Sequence, residues 1–122
     1  MLSVSVLAAA AALACPANVA NGLETPASAQ QLVTVEAKVM RTTYSSLRTW
    51  KRRGACWMPA GGPYVARLGK NGLSANRREG DGTTPTGTYR IGRTMYGNAP
   101  NPGVKFAYRR LRCGDWWDED PS

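Results

Sequence analysis

The chain has 122 residues, with 16 Lys and Arg against 8 Asp and Glu, a formal net charge of +8 and a pI near 9.9. That length accommodates one domain and little more, and 43% hydrophobic with 20% charged residues excludes both a disordered chain and a membrane bundle. Histidine is absent, so no Ser-His-Asp or Cys-His pair, imidazole metal site or imidazole pH switch can be assembled from these residues.

Residues 2–14 carry no charge and are almost wholly Ala, Leu and Val. The run is shorter than the roughly 20 apolar residues of a spanning helix, and it fits the apolar centre of a secretory signal. Ala27-Ser28-Ala29 ahead of Gln30 supplies a small-x-small cleavage pattern. Residues 1–29 are therefore expected to be a signal peptide cut after Ala29, leaving 30–122 with no transmembrane segment. The basic residues that usually precede the apolar run are missing. Two other readings stay open: Cys15, after Ala12-Leu13-Ala14, as a lipid anchor, or a hydrophobic N-terminal segment that stays and packs.

With the leader gone, Cys56 and Cys113 remain, and outside the cytosol an even pair reads first as a disulfide. Closing that loop would restrict the unfolded chain by about 4 kcal/mol. Buried free thiols are a second option, and a thiolate such as Cys113 beside Arg112 is a third.

Along the mature part, residues 31–38 alternate Val33, Val35 and Ala37 with Thr34, Glu36 and Lys38, the pattern of a half-buried strand. Residues 42–53 are rich in β-branched and aromatic side chains and read as a second strand ended by Gly54. Trp57 begins a short extended piece, and the Pro and Gly cluster at 59–63 reads as a turn. Further strands are expected over 64–69, 87–92 and 104–108, with a loop over 96–103, where two Pro and two Gly fall. No stretch beyond residue 30 sustains helical spacing, so the fold class is mainly β.

All sixteen basic residues lie within 38–112, against only Glu79 and Asp81, whereas the last eight residues hold Asp115, Asp118, Glu119 and Asp120. Such asymmetry suits an anionic partner, an acidic pocket for a cationic group, or simply a solvated basic face near an anionic wall or lipid surface. The export signal and the lack of a recognition motif argue against nucleic acid.

The most informative stretch runs from Lys70 to Gly92. Glu79-Gly80-Asp81-Gly82 is a tight turn in which Asp81 can accept hydrogen bonds from nearby backbone N–H groups. Thr84-Pro85-Thr86-Gly87 makes a second turn, and the absence of a Gly-Lys-Ser/Thr ending argues against a P-loop.

The pattern R-E-G-D-G-x-T-P-x-G-x-Y-x-I-G, from Arg78 to Gly92, resembles the signature turn and strand of the YkuD-type L,D-transpeptidases, exported peptidoglycan cross-linking enzymes. Lys70-Asn71-Gly72 upstream and the Trp- and Asp-rich run from Gly114 to Pro121 are similar to further segments of that family, so the resemblance spans about 31–122. It implies a mainly β, YkuD-like sheet or sandwich domain acting on peptidoglycan stem peptides without a cofactor or metal. In the family a Cys thiolate attacks the donor peptide, releases D-Ala through a thioester and passes the acyl group to an amine. That chemistry needs a His partner and backbone oxyanion donors.

The family's H-(about 15 residues)-S/T-x-G-C pattern is absent here, and none of Cys15, Cys56 or Cys113 lies in such a setting. The expectation is thus the N-terminal part of a catalytic domain, with its C-terminal part missing, no catalytic residue and no activity alone. The signature loop is Arg78, Glu79, Gly80, Asp81, Gly82, Thr84, Pro85 and Gly87. Tyr96, Asp115, Trp116, Trp117, Asp118 and Asp120 are candidates for a substrate groove in which carboxylates would attract a diaminopimelate amine. The carboxylates alternatively just neutralise the basic surface, and the Trp pair packs. A rival function is a non-catalytic exported β module that binds peptidoglycan or another anionic wall polymer.

Overall fold

Alternating side chains place the first strand, β1 (Gln31–Glu36), where the sequence predicts it; the computed structural model describes residues 14–116. Strands β2 (Tyr44–Arg53) and β3 (Cys56–Arg67) follow across the turn at Gly54, and the three form an antiparallel sheet in the order β1-β2-β3. The short strands β4 (Leu73–Ser74) and β5 (Thr84–Pro85) pair in parallel, as do β6 (Thr94–Gly97) and β7 (Ala107–Arg110). The only helical piece among the described residues is a 3-10 turn at Ala20–Gly22. The fold is mainly β. The chain divides into two compact units, the first from the described residues of Met1–Lys38 with Tyr44–Arg67, the second from Val39–Thr43 with the residues after Arg67.

In the first unit the alternation of β1 is real but its faces are inverted relative to expectation. Thr34 is buried and Leu32 half-buried, while Val33 and Val35 are 41% and 49% exposed. The reason lies across the sheet. Leu32 stands opposite Trp50 in the register, and Trp50 Nε1 donates to Thr34 Oγ1 at 3.0 Å. A threonine that satisfies a buried indole N–H belongs inside, because an unpaired buried donor costs about 1–3 kcal/mol. The buried apolar residues are Ala20, Trp50 and Trp57, with Ala29 and Leu32 packed against them.

Residues 14–29, expected to be cut away, cover this core face. Asn21 Oδ1 accepts the Trp57 N–H at 2.6 Å, and the Asn18 and Asn21 side-chain amides both donate to the Trp57 carbonyl, at 3.1 and 3.2 Å. Trp57 Nε1 donates to Thr25 Oγ1 at 3.2 Å. Arg52 lies over the Trp57 ring at 4.3 Å and donates to Ala29 O, Thr25 Oγ1 and Pro26 O at 2.6, 3.2 and 3.1 Å. A cut after Ala29 would remove every one of these partners.

The cysteine pairing also differs from expectation. Cys56 bonds Cys15, and Cys113 is free and exposed. The asparagine contacts at Trp57 lay the N-terminal arm beside the start of β3, which brings the Cys15 and Cys56 Cα atoms to 5.3 Å, within bridging reach. A Cys15 sulfur engaged in a disulfide has no thiol with which to hold a thioether-linked lipid.

Two further expectations are corrected. The Pro and Gly cluster at 59–63 is no turn but the middle of β3, with shifts in pairing near Thr49. An edge strand can accept Pro because one side of its backbone needs no ladder partner. Residues 87–92 form no strand, and Tyr89 and Ile91 are 65% and 73% exposed there. The strand expected over 104–108 forms instead at Ala107–Arg110, and its partner β6 takes Tyr96 and Gly97 from the expected loop.

Candidate functional site

In the second unit, the loop joining β4 to β5 is organised around one carboxylate. Asp81 Oδ2 accepts the Arg78 N–H at 2.7 Å, and Oδ1 accepts both the N–H and the hydroxyl of Thr83 at 2.7 Å. An Asp that folds back on the backbone within two residues is an Asx turn, as the residue order suggests. Asn71 ties the loop from below, its side chain donating to Asp81 O at 2.7 Å and its N–H to Gly82 O at 3.0 Å. Arg77 Nε donates to Thr83 O at 3.1 Å.

Thr84 and Pro85, expected to open a second turn, instead form β5 because their backbone pairs with Leu73 and Ser74. Thr84 Oγ1 accepts the Gly69 N–H at 2.8 Å and the Thr84 N–H reaches Gly72 O at 2.8 Å, so the T-P pair locks the loop to the chain entering β4. Gly82 has φ +70°, a left-handed conformation that side chains other than glycine's rarely adopt. Gly72, at φ +83°, also runs so close to the Met40 carbonyl and Arg41 that a Cβ there would collide with backbone. Glu79 and Arg78 are exposed.

The signature residues thus serve the structure by shaping a rigid loop. Their arrangement offers no nucleophile. It does favour the ionised carboxylate, since hydrogen bonds from the Arg78 N–H first, then the Thr83 hydroxyl and N–H, with Arg77 nearby, lower the Asp81 pKa from 3.8 to about 2. A carboxyl that titrates below its unfolded value stabilises the fold above the unfolded pKa and loses that contribution as pH falls through the folded one. The loop is therefore expected to stay ordered down to pH 3.8 and to loosen between 3.8 and about 2. Amide NMR shifts of Thr83 and Arg78 followed through an acid titration check this; a midpoint near 4 would contradict the hydrogen bonding described.

Tyr96 lies in β6 opposite Arg109 of β7, and the Arg109 guanidinium pairs with Asp115 Oδ1. The other Asp115 oxygen accepts the Arg112 N–H at 2.6 Å, so both carboxylate oxygens brace the turn after β7. The structure thereby joins Tyr96 and Arg109 in one strand pair and Asp115, from the turn after β7, to Arg109. Trp116 is 94% exposed, and Trp117, Asp118 and Asp120 lie outside the described residues. Cys113 sits in the same turn, between Arg112 and Gly114, and is exposed.

Two residues that hold the loop were given no role by the sequence. Thr83 was not among the signature positions although it makes two of the three bonds to Asp81; an Asp with Thr two places on is the signal that could have found it. Asn71 closes the loop, and only its place within Lys70-Asn71-Gly72 pointed to it.

No family model, curated protein or solved structure matches the chain.

Proposed function

We propose that the chain is an exported cell-wall protein of L,D-transpeptidase lineage, carrying the N-terminal part of a YkuD-like domain and inactive by itself. The observation that carries this reading is the loop from Arg78 to Gly87. Its Asp81 accepts three hydrogen bonds, its Gly82 needs a left-handed backbone, and its Thr84 and Pro85 form a strand. The motif that carries the resemblance is therefore one built unit rather than a chance string of turn residues. The Cys15–Cys56 disulfide supports export, because such bonds persist in oxidising compartments and are rare in the cytosol.

Acyl transfer in that lineage runs through a thiolate made and held by an imidazole. These 122 residues contain no His, and Cys15 and Cys56 are bonded to each other. Cys113 is the free thiol of the chain, and its side-chain neighbours in sequence are Arg112 and, beyond Gly114, Asp115. No imidazole is present to take its proton and return it to a leaving amine. The stem peptide is the proposed partner, with the β6–β7 pair at Tyr96 and the Asp115 turn that follows it as the place where it would lie.

The purified chain is expected to release no D-Ala from a donor tetrapeptide and to form no adduct with a carbapenem, read by intact mass. A stoichiometric adduct on Cys113 would overturn the assigned inactivity. The lineage itself is tested at the locus: reading past the Ser122 codon in all frames is expected to find a His followed after about 15 residues by S/T-x-G-C, and an intact gene without it would favour a non-catalytic wall-binding module.

A further inference from the structure

We propose that the exported chain is cut between Ala14 and Cys15, so that Cys15 becomes the first residue of the mature protein and closes its N-terminal arm onto β3. The inference rests on the export reading above and goes beyond it, because it assigns a processing site at which the arm is kept.

Signal removal precedes folding, so the question is which product can fold. A product beginning at Gln30 would lack Cys15, Asn18, Asn21 and Thr25. The Trp57 N–H, carbonyl and indole N–H would lose the partners they have at 2.6 to 3.2 Å, and Cys56 would lose the residue it is bonded to. Buried Ala20 and half-buried Ala29 would leave the small apolar core that they form with Trp50 and Trp57. The bond after Ala29 is itself built into the fold, since Ala29 O accepts from Arg52 Nε at 2.6 Å and Gln30 O accepts the Arg52 N–H at 3.0 Å. A product beginning at Cys15 keeps all of these contacts. The first arm atom with a hydrogen-bonding role is Pro16 O, which accepts from the Asn21 side chain at 2.8 Å, and Ala14 is exposed.

The sequence supplies the cut. Ala12-Leu13-Ala14 is a small-x-small triplet at the end of the apolar run, the place where a signal peptidase acts. Water adds across the amide, its hydroxyl to the Ala14 carbonyl carbon and its hydrogen to the Cys15 nitrogen. The same bond is cut in lipoproteins, but there the Cys sulfur first carries a diacylglyceryl thioether. A thioether at Cys15 would forbid the Cys15–Cys56 bond of the folded chain, so a product that folds as described leaves the cut with a free Cys15 thiol and closes the disulfide afterwards.

The test is export of the full chain, carrying a C-terminal tag, from a bacterial host, with N-terminal sequencing and intact mass of the protein outside the cytosol, before and after reduction. The expected product begins at Cys15, carries no lipid and gains two hydrogens on reduction. An exported product beginning at Gln30, or one with a lipid-sized mass on Cys15, overturns the proposal while leaving export intact. An uncut chain retained in the cytosol overturns both. The variant Ala14→Phe is expected to lose the mature species and accumulate precursor, whereas Ala29→Phe should be cut like the parent. The reverse pattern assigns the site to Ala29 and defeats the proposal even where yields are low.

Discussion

Replacing Cys56 with Ser is expected to destabilise the three-stranded unit by about 4 kcal/mol, the loop-entropy value for a bridge spanning 41 residues. Cys15→Ser should cost the same, because either change opens the same loop, and Cys113→Ser should change stability by no more than about 0.5 kcal/mol, as for other exposed positions. The first effect weighs heavily because the apolar core beside the bridge is small. Among the described residues of the unit only three apolar ones, Ala20, Trp50 and Trp57, are buried, so a penalty of that order is a large share of the few kcal/mol that a small fold has in hand. Thermal unfolding of the oxidised protein and the three variants, with and without reductant, measures it. Pairing of Cys56 with Cys113, as expected from the sequence, makes the opposite forecast: Cys113→Ser would then be as damaging as Cys56→Ser, and Cys15→Ser harmless.

That contrast shows where the sequence was legible. The Asp81 turn was legible, because an Asx turn and left-handed glycines are local devices, each decided within two or three residues; Thr84-Pro85, expected as a second turn, was not, because it pairs as β5 with Leu73–Ser74 from outside the loop. The strands β1 and β2 were legible as strands, since alternation and β-branched content are local too. Which face of β1 points inward was not: Val33 and Val35 are the more apolar residues, and Thr34 goes inside because Trp50, sixteen residues away, needs an acceptor there. The stretch 59–63 misled because Pro and Gly usually end strands, and their tolerance depends on β3 being an edge, a fact of topology. The stretch 87–92 misled in the other direction, since its alternation finds no pairing strand among the described residues. The arm was hidden by its own composition: an apolar, Ala-rich beginning reads as a leader throughout, and the polar residues Asn18, Asn21 and Thr25 that dock it reveal their purpose only beside Trp57. For the candidate groove, the sequence named Tyr96 and Asp115, and it could not show that Asp115 is already engaged by Arg109 and by the Arg112 N–H.

Trp57→Ala is expected to abolish cooperative folding of the same unit. Truncating a buried aromatic side chain costs about 3–5 kcal/mol, and Trp57, at 2% exposure, is the residue on which the arm, β2 and β3 converge. Its ring also carries the Arg52 guanidinium at 4.3 Å and gives its N–H to Thr25. Without the ring, Arg52 keeps its bonds to Ala29 and Pro26 but loses the apolar surface beneath it, and among the described residues Ala20 has only Trp50 left as a buried apolar companion. Trp57→Phe restores most of the apolar surface and not the Thr25 bond, so its loss should fall between the parent and Trp57→Ala. Trp116→Ala is the control, since Trp116 is 94% exposed and its removal should stay within about 0.5 kcal/mol. Near-ultraviolet circular dichroism and urea unfolding of the three variants give the ordering. If Trp57→Ala proves as mild as Trp116→Ala, the arm does not pack where it is placed, and with it falls the reason for keeping residues 15–29 in the mature protein.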